Sequence, residues 1–117
     1  GGALALGVGD RVYVLEYATY SVISPEGCAA ILWKNQGAKE KAAEAMRVTA
    51  PDLVELGVVD AVVPEPLGGA HADPAEAARR VGDQLSKALA DLDRLSVDEL
   101  RAARYEKFRA MGAHEER

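Results

Sequence analysis

Apolar and polar positions alternate in several distinct rhythms along this chain of 117 residues. Ala3-Leu4-Ala5-Leu6 are good helix formers between glycines, and they predict a short buried helix that starts at Gly1-Gly2 and stops before Gly9. Arg11 to Tyr17 is rich in β-formers with apolar residues on both faces, the pattern of a strand covered on both sides. Ser21-Val22-Ile23 predicts a second short strand. Ser24-Pro25-Glu26 supplies a cap, a first-turn proline and a first-turn acid. A helix is therefore predicted from Glu26 to about Lys34, ended by Asn35-Gln36-Gly37.

Lys39 to Arg47 predicts a more polar helix, and Thr49-Ala50-Pro51-Asp52 caps another over Leu53 to Leu56. Val58 to Val63 is a β-branched run closed by Pro64-Glu65-Pro66, which cannot continue a central strand. Leu67 to His71 is a glycine-bearing loop. Asp73-Pro74-Ala75-Glu76 opens a long helix, with Glu76 expected to reach back to the cap. Ala78, Val81, Leu85, Ala88, Leu92 and Leu95 form its apolar stripe, either core or partner interface. Ser96-Val97-Asp98-Glu99 is a capping box for a last helix with Val97, Leu100, Tyr105, Phe108 and Met111 on its apolar side. Ala113 to Arg117 is expected to fray.

The first half thus reads as β/α and the last third as helical, an α/β chain. Two or three strands with this many helices leave sheet edges without partners. The chain also opens on Gly1-Gly2 rather than Met, and the two features together suggest a piece of a longer protein.

Composition narrows the chemistry. Lys and Arg number 14 against 19 Asp and Glu, a formal charge of −5. That balance argues against a nucleic-acid surface. A single cysteine, Cys28, excludes an internal disulfide framework, a Cys-rich zinc site and an iron–sulfur cluster. The two histidines, His71 and His114, have no ligand spacing, so no metal is expected in this chain. Aromatic residues make up only 5%, so the core must be Ala, Val, Leu and Ile. No apolar run reaches the ~18 residues that span a bilayer, and no secretory pattern opens the chain. A cytoplasmic location is expected.

Candidate chemistry is sparse. Gly1-Gly2 at a helix start would leave backbone N–H groups free beside a partial positive charge, which is how a backbone oxyanion hole is made. A linker remnant or a close-packing contact would look the same. Gly7-Val8-Gly9-Asp10-Arg11-Val12 fails as a dinucleotide loop, because Val12 stands where glycine is needed and the element order is reversed. Cys28 near a helix start reads as a buried structural thiol, although such a place can lower a thiol pKa. His71 is either a general base or carboxylate binder, or a loop anchor. His114 lies in the tail and reads as inert. Arg101, Arg104, Lys107 and Arg109 beside Asp98, Glu99 and Glu106 read as a solvated, salt-laced face.

Longer strings add a resemblance. Gly1 to Asp10, Tyr20-Ser21-Val22-Ile23-Ser24-Pro25-Glu26-Gly27-Cys28-Ala29, Pro64-Glu65-Pro66-Leu67-Gly68-Gly69-Ala70-His71 and Arg104-Tyr105-Glu106-Lys107-Phe108-Arg109 together resemble the carboxyltransferase α-subunit family of bacterial-type acetyl-CoA carboxylase. The similarity runs from Gly1 to about Gly112. It implies a ClpP/crotonase-like spiral fold, of which this chain resembles the C-terminal part. Residues 1–72 would then be the end of the core, 73–112 a helical extension, and 113–117 a frayed tail.

The resemblance also implies a reaction: transfer of the carboxyl group from carboxybiotin on the biotin carboxyl carrier protein to acetyl-CoA. The product, malonyl-CoA, commits carbon to fatty acid synthesis. Gly1 and Gly2 match the family's α-side oxyanion hole, which serves the biotin oxygen, while the β subunit cradles the acetyl-CoA enolate. Implied partners are the carboxyltransferase β subunit, which carries the zinc, the carrier protein, biotin carboxylase, which uses the ATP, and a second α subunit. Two alternatives remain: a non-catalytic docking piece of that complex, and another crotonase-family acyl-CoA enzyme with Glu26 as base.

Overall fold

Local capping chemistry sets most element boundaries in the computed structural model, which describes residues 1–112. The expectations for His114 and the Ala113–Arg117 tail lie outside the described residues. Helix α1 spans Gly2–Gly7, with Gly1 at its cap position and no side-chain cap. Strand β1 is Tyr13–Leu15. Helix α2, Pro25–Trp33, begins where Ser24 Oγ accepts from the Gly27 amide at 3.1 Å. It ends on Lys34, held left-handed at φ 54°, one residue before the predicted Asn35-Gln36-Gly37 stop. Asn35 instead caps a 3-10 turn over Gln36–Ala38. Helix α3 follows at Lys39–Met46, then α4 at Ala50–Glu55, β2 at Ala61–Val63, α5 at Pro74–Asp93 and α6 at Val97–Arg109.

The predicted strand over Ser21–Ile23 does not form. Ser21 Oγ accepts from the Ile23 amide and donates to the Ile23 carbonyl. That local loop offers the backbone an alternative to a ladder. The neighbouring extended residue Thr19 makes a lone antiparallel bridge with Thr49. Two capping expectations also change. The Thr49 hydroxyl donates to Asp52 Oδ2 at 2.8 Å and makes no cap bond to the α4 backbone. Glu76 does not reach back to Asp73; its carboxylate pairs forward with Arg79 and Arg80. The Ser96–Glu99 capping box forms in both directions, as expected.

Among the described residues the sheet has two parallel strands, with Tyr13 opposite Ala61, Val14 opposite Val62 and Leu15 opposite Val63. The crossover between them carries α2, α3 and α4. The core gathers Val14, Ala50, Leu53 and Val59, with Val12, Tyr20 and Val62 packed against it. A second contact closes where α2 meets α3 through fully buried Ala29 and Ala42. Among the described residues the buried hydrophobic core is Ala, Val and Leu, and no large side chain is completely buried.

The radius of gyration is 16.8 Å, well above the ~13 Å of a compact chain of this size. Apolar surface stays open accordingly. Helix α1 is not buried as predicted: Leu4 and Leu6 are 68% and 74% exposed. An apolar groove of about 480 Å³ lies along β1 between Leu6 and Leu85, so the strand is not covered on both faces.

The helical stripes shift too. On α5 the predicted Val81, Ala88 and Leu92 point inward, as does Leu95 just past its end, joined by Ala77 and Gln84, while the predicted Ala78 and Leu85 are exposed. On α6 the inward positions are Leu100, Arg104 and Lys107, with Met111 just past its end, whereas Val97, Tyr105 and Phe108 face solvent. A spacing of four, three and four keeps these α6 positions on one face. No described helix is long and apolar enough to cross a membrane.

Candidate functional site

The residues that organise the surface around α1 are Tyr20, Asp60 and Lys107. Gly1 caps α1 and Gly2 opens it, both exposed, and a Cβ built on either meets nothing within 4 Å. Ala5 N donates to Gly1 O at 3.0 Å, the first helical bond. The amides of Gly2, Ala3 and Leu4 precede any intrahelical acceptor and point out of the helix start. The Gly2 amide has no side chain over it, so an anionic oxygen can approach it closely. The Tyr20 hydroxyl donates to the Ala3 carbonyl and lies against Gly7.

Beyond α1, the turn Val8 to Asp10 runs into β1. Lys107 Nζ donates to Gly9 O at 3.4 Å, Asp10 O at 3.3 Å and Asp60 Oδ2 at 3.0 Å. Its side chain is only 15% exposed. Asp60 Oδ2 also accepts from Val12 N at 2.7 Å, and Asp60 N donates to Val12 O. Lys107 is therefore not part of a solvated face, as its neighbours in sequence suggested. Arg104 lies beside it, with Nη1 3.9 Å from Asp10 Oδ1.

A second polar cluster holds the glycine loop after β2. Glu65 Oε2 accepts from Tyr17 N at 2.6 Å and Oε1 from Ala70 N at 2.8 Å, while Glu65 N donates to Glu16 Oε2 at 3.0 Å. One carboxylate thus ties the end of β1 to the loop. Gly68 and Gly69 sit at φ 88° and 100°, a region that other residues enter at a cost. His71 is exposed, with its ring beside Gly69, and lines a cavity of about 490 Å³ with Tyr17, Glu65 and Gly69. Glu65, not His71, is the anchor of this loop. Gly1 and Gly2 do not line this cavity.

The remaining candidates stay apart from both clusters. Cys28 is half-buried in α2, its amide bonded to Ser24 O. Glu26 is exposed in the first turn of α2. Among the described residues no three His, Cys, Asp or Glu side chains gather as metal ligands.

Sequence reading missed Glu65, Asp60, Tyr20 and Lys107. Two carried a signal. Glu65 is a lone acid between prolines, just ahead of a glycine loop whose amides need acceptors. Lys107 falls on the Leu100–Met111 face at helical spacing, where a solvated lysine has no reason to be.

The profile of the family described as acetyl co-enzyme A carboxylase carboxyltransferase-like matches residues 1–112. Proteins named acetyl-coenzyme A carboxylase carboxyl transferase subunit alpha are similar over nearly all of the chain. The one from Methylococcus capsulatus is 54% identical over 116 residues, covering 99% of this chain and 36% of its own length. Those from Salmonella dublin and Salmonella newport are 55% identical over 112 residues, 96% of this chain and 35% of theirs. The chain therefore spans about a third of the length of these relatives. The matches do not support the expectation that it is their C-terminal part.

Proposed function

The chain belongs to the acetyl co-enzyme A carboxylase carboxyltransferase-like family, and on that premise we propose that it forms part of a carboxyltransferase α subunit that makes malonyl-CoA. The substrates are acetyl-CoA and carboxybiotin on its carrier protein, and the β subunit completes the site. The fold is a portion of a crotonase-like spiral, with residues 73–112 as its helical extension. Biotin carboxylase and a second α subunit belong to the same cytoplasmic assembly. The family match over residues 1–112 carries this reading.

In the proposed reaction the bond between the biotin ureido nitrogen and the carboxyl carbon breaks. A carbon–carbon bond forms to the acetyl methyl carbon, whose proton passes to that nitrogen. Negative charge builds on the ureido oxygen as the carboxyl group leaves. The open α1 start at Gly1-Gly2 suits that oxygen, because neutral, oriented amides stabilise developing charge without reorganising. No side-chain nucleophile is needed.

The test is Gly2→Val in the complete gene product, assembled with the β subunit. Space around Gly2 is open, so the fold should tolerate the substitution while the valine side chain obstructs approach to the amides. Malonyl-CoA formation is expected to fall about 10²–10³-fold with assembly intact, the usual cost of an oxyanion donor. A variant of full activity sinks the assignment of Gly1 and Gly2.

The docking alternative draws support from the exposed Leu4, Leu6, Leu85 and Leu89. It predicts that Leu4→Ser weakens β-subunit binding while Gly2→Val leaves the rate untouched. The hydratase alternative needs Glu26, and Glu26→Gln should leave malonyl-CoA formation largely intact.

A further inference from the structure

Helix α1 has no buried residue, so packing alone does not fix its direction. Tyr20 holds its first turn at Ala3. Its far end runs into the Val8–Asp10 turn, and that turn is held from the other end of the chain. Lys107 on α6 places its ammonium among three oxygens: Gly9 O, Asp10 O and Asp60 Oδ2, at 3.0 to 3.4 Å. Each of its three N–H bonds has an acceptor. Asp60 in turn holds Val12 N at the start of β1.

We propose that Lys107 is a positioning residue: through the Gly9–Asp10 carbonyls it sets the orientation of α1, and with it the Gly1-Gly2 amides. This rests on the carboxyltransferase reading above. A six-residue helix is about 9 Å long, and the Gly9 and Asp10 carbonyls lie two and three residues past its end at Gly7, so the turn they fix sets the direction in which α1 leaves it. Misplacing a reacting group by about 1 Å can cost 10²-fold in rate. The C-terminal helix is thereby tied to the chemistry at the opposite end of the chain, although α6 itself lines no oxyanion site. A lysine is needed because one ammonium serves two neutral carbonyls and a carboxylate at once. Arginine can span the same acceptors with its fork, whereas methionine removes the shared donor, leaving Asp60 Oδ2 only the Val12 amide and Asp10 O only the Arg11 guanidinium.

The test uses the complete gene product assembled with the β subunit, comparing Lys107→Met, Lys107→Arg and Gly2→Val. Lys107→Met should lower kcat about tenfold and leave KM for acetyl-CoA within twofold. Amide exchange at Ala5, Leu6 and Gly7, whose amides carry the helical bonds of α1, should quicken at least threefold while that of β1 and β2 stays within twofold. Lys107→Arg should recover at least half of kcat. If Lys107→Met fails to assemble, Lys107→Gln is read the same way. Unchanged exchange in α1 overturns the proposal, whatever the rate. So does a loss of kcat that follows the melting temperature across both lysine variants. If Gly2→Val is inactive while Lys107→Met keeps its full rate, the positioning role falls and the carboxyltransferase reading stands. If α1 exchange quickens in Lys107→Met and Gly2→Val is fully active, the oxyanion assignment falls and only the tie between α6 and α1 survives.

Discussion

The Tyr20 hydroxyl donates its hydrogen bond to the backbone carbonyl of Ala3, seventeen residues earlier in the chain. The same hydroxyl would lie only 2.9 Å from a Cβ placed on Gly7. Gly7 therefore clears the space through which Tyr20 reaches α1. Tyr20→Phe is expected to cost about 1 kcal/mol, one net hydrogen bond. Gly7→Ala should push the ring tip aside and lose the same bond. A double-mutant cycle by urea denaturation checks this. The two costs should not add, because both substitutions remove one interaction; full additivity would separate Gly7 from Tyr20.

Glu65 joins β1 to the glycine loop through the Tyr17 and Ala70 amides. Glu65→Ala leaves both donors without their partner, at an expected cost of about 2 kcal/mol. Glu65→Gln keeps one acceptor oxygen and should lose roughly half as much. Amide exchange reads the effect directly. Protection at Tyr17 and Ala70 should fall in Glu65→Ala, while that of α5 is unchanged.

Acid should loosen the first turns of α5. The Arg79 and Arg80 guanidinium groups hydrogen-bonded to Glu76 lower its carboxyl from 4.5 to about 2. A folded value below the unfolded one means the contribution is present above pH 4.5 and fades as pH falls towards 2. Far-UV circular dichroism of wild type and Glu76→Gln, titrated from pH 5 to 2, tests the sign. The wild type should lose more helix across that window than the variant. Equal loss in both would assign the effect to other carboxylates.

Lys34 and Arg47 end α2 and α3 in the left-handed region, at φ 54° and 50°. Such a conformation costs a side-chain-bearing residue about 1 kcal/mol relative to glycine. Lys34 is exposed and donates to no described acceptor, so Lys34→Gly should stabilise the protein by up to about 1 kcal/mol. Arg47→Gly should not, because Arg47 also pairs with Asp52 and Glu55. Thermal melts of the two variants should therefore move apart.

Sequence alone determined what is decided within a few residues. Ser24, Asp73 and Ser96 cap helices because a side-chain oxygen meets an amide three residues on, and no distant residue is involved. The Pro64-Glu65-Pro66 stop after β2 and the glycine loop behind it were legible for the same reason. The family was legible too, in strings too long to arise from composition.

What only the tertiary structure decided depends on residues far apart in the chain. Ser21–Ile23 has strand-forming residues, yet among the described residues no distant strand pairs with it, and its backbone bonds instead to the Ser21 side chain. The stripes held at Val81, Ala88, Leu92, Leu95, Leu100 and Met111 but shifted by a position elsewhere, because Ala78, Leu85, Tyr105 and Phe108 meet no partner and stay exposed while Ala77, Gln84, Arg104 and Lys107 turn inward. Lys107 looked like one cation among several on a charged helix. Its acceptors lie 47 to 98 residues away, and only folding brings two carbonyls and a carboxylate round one ammonium.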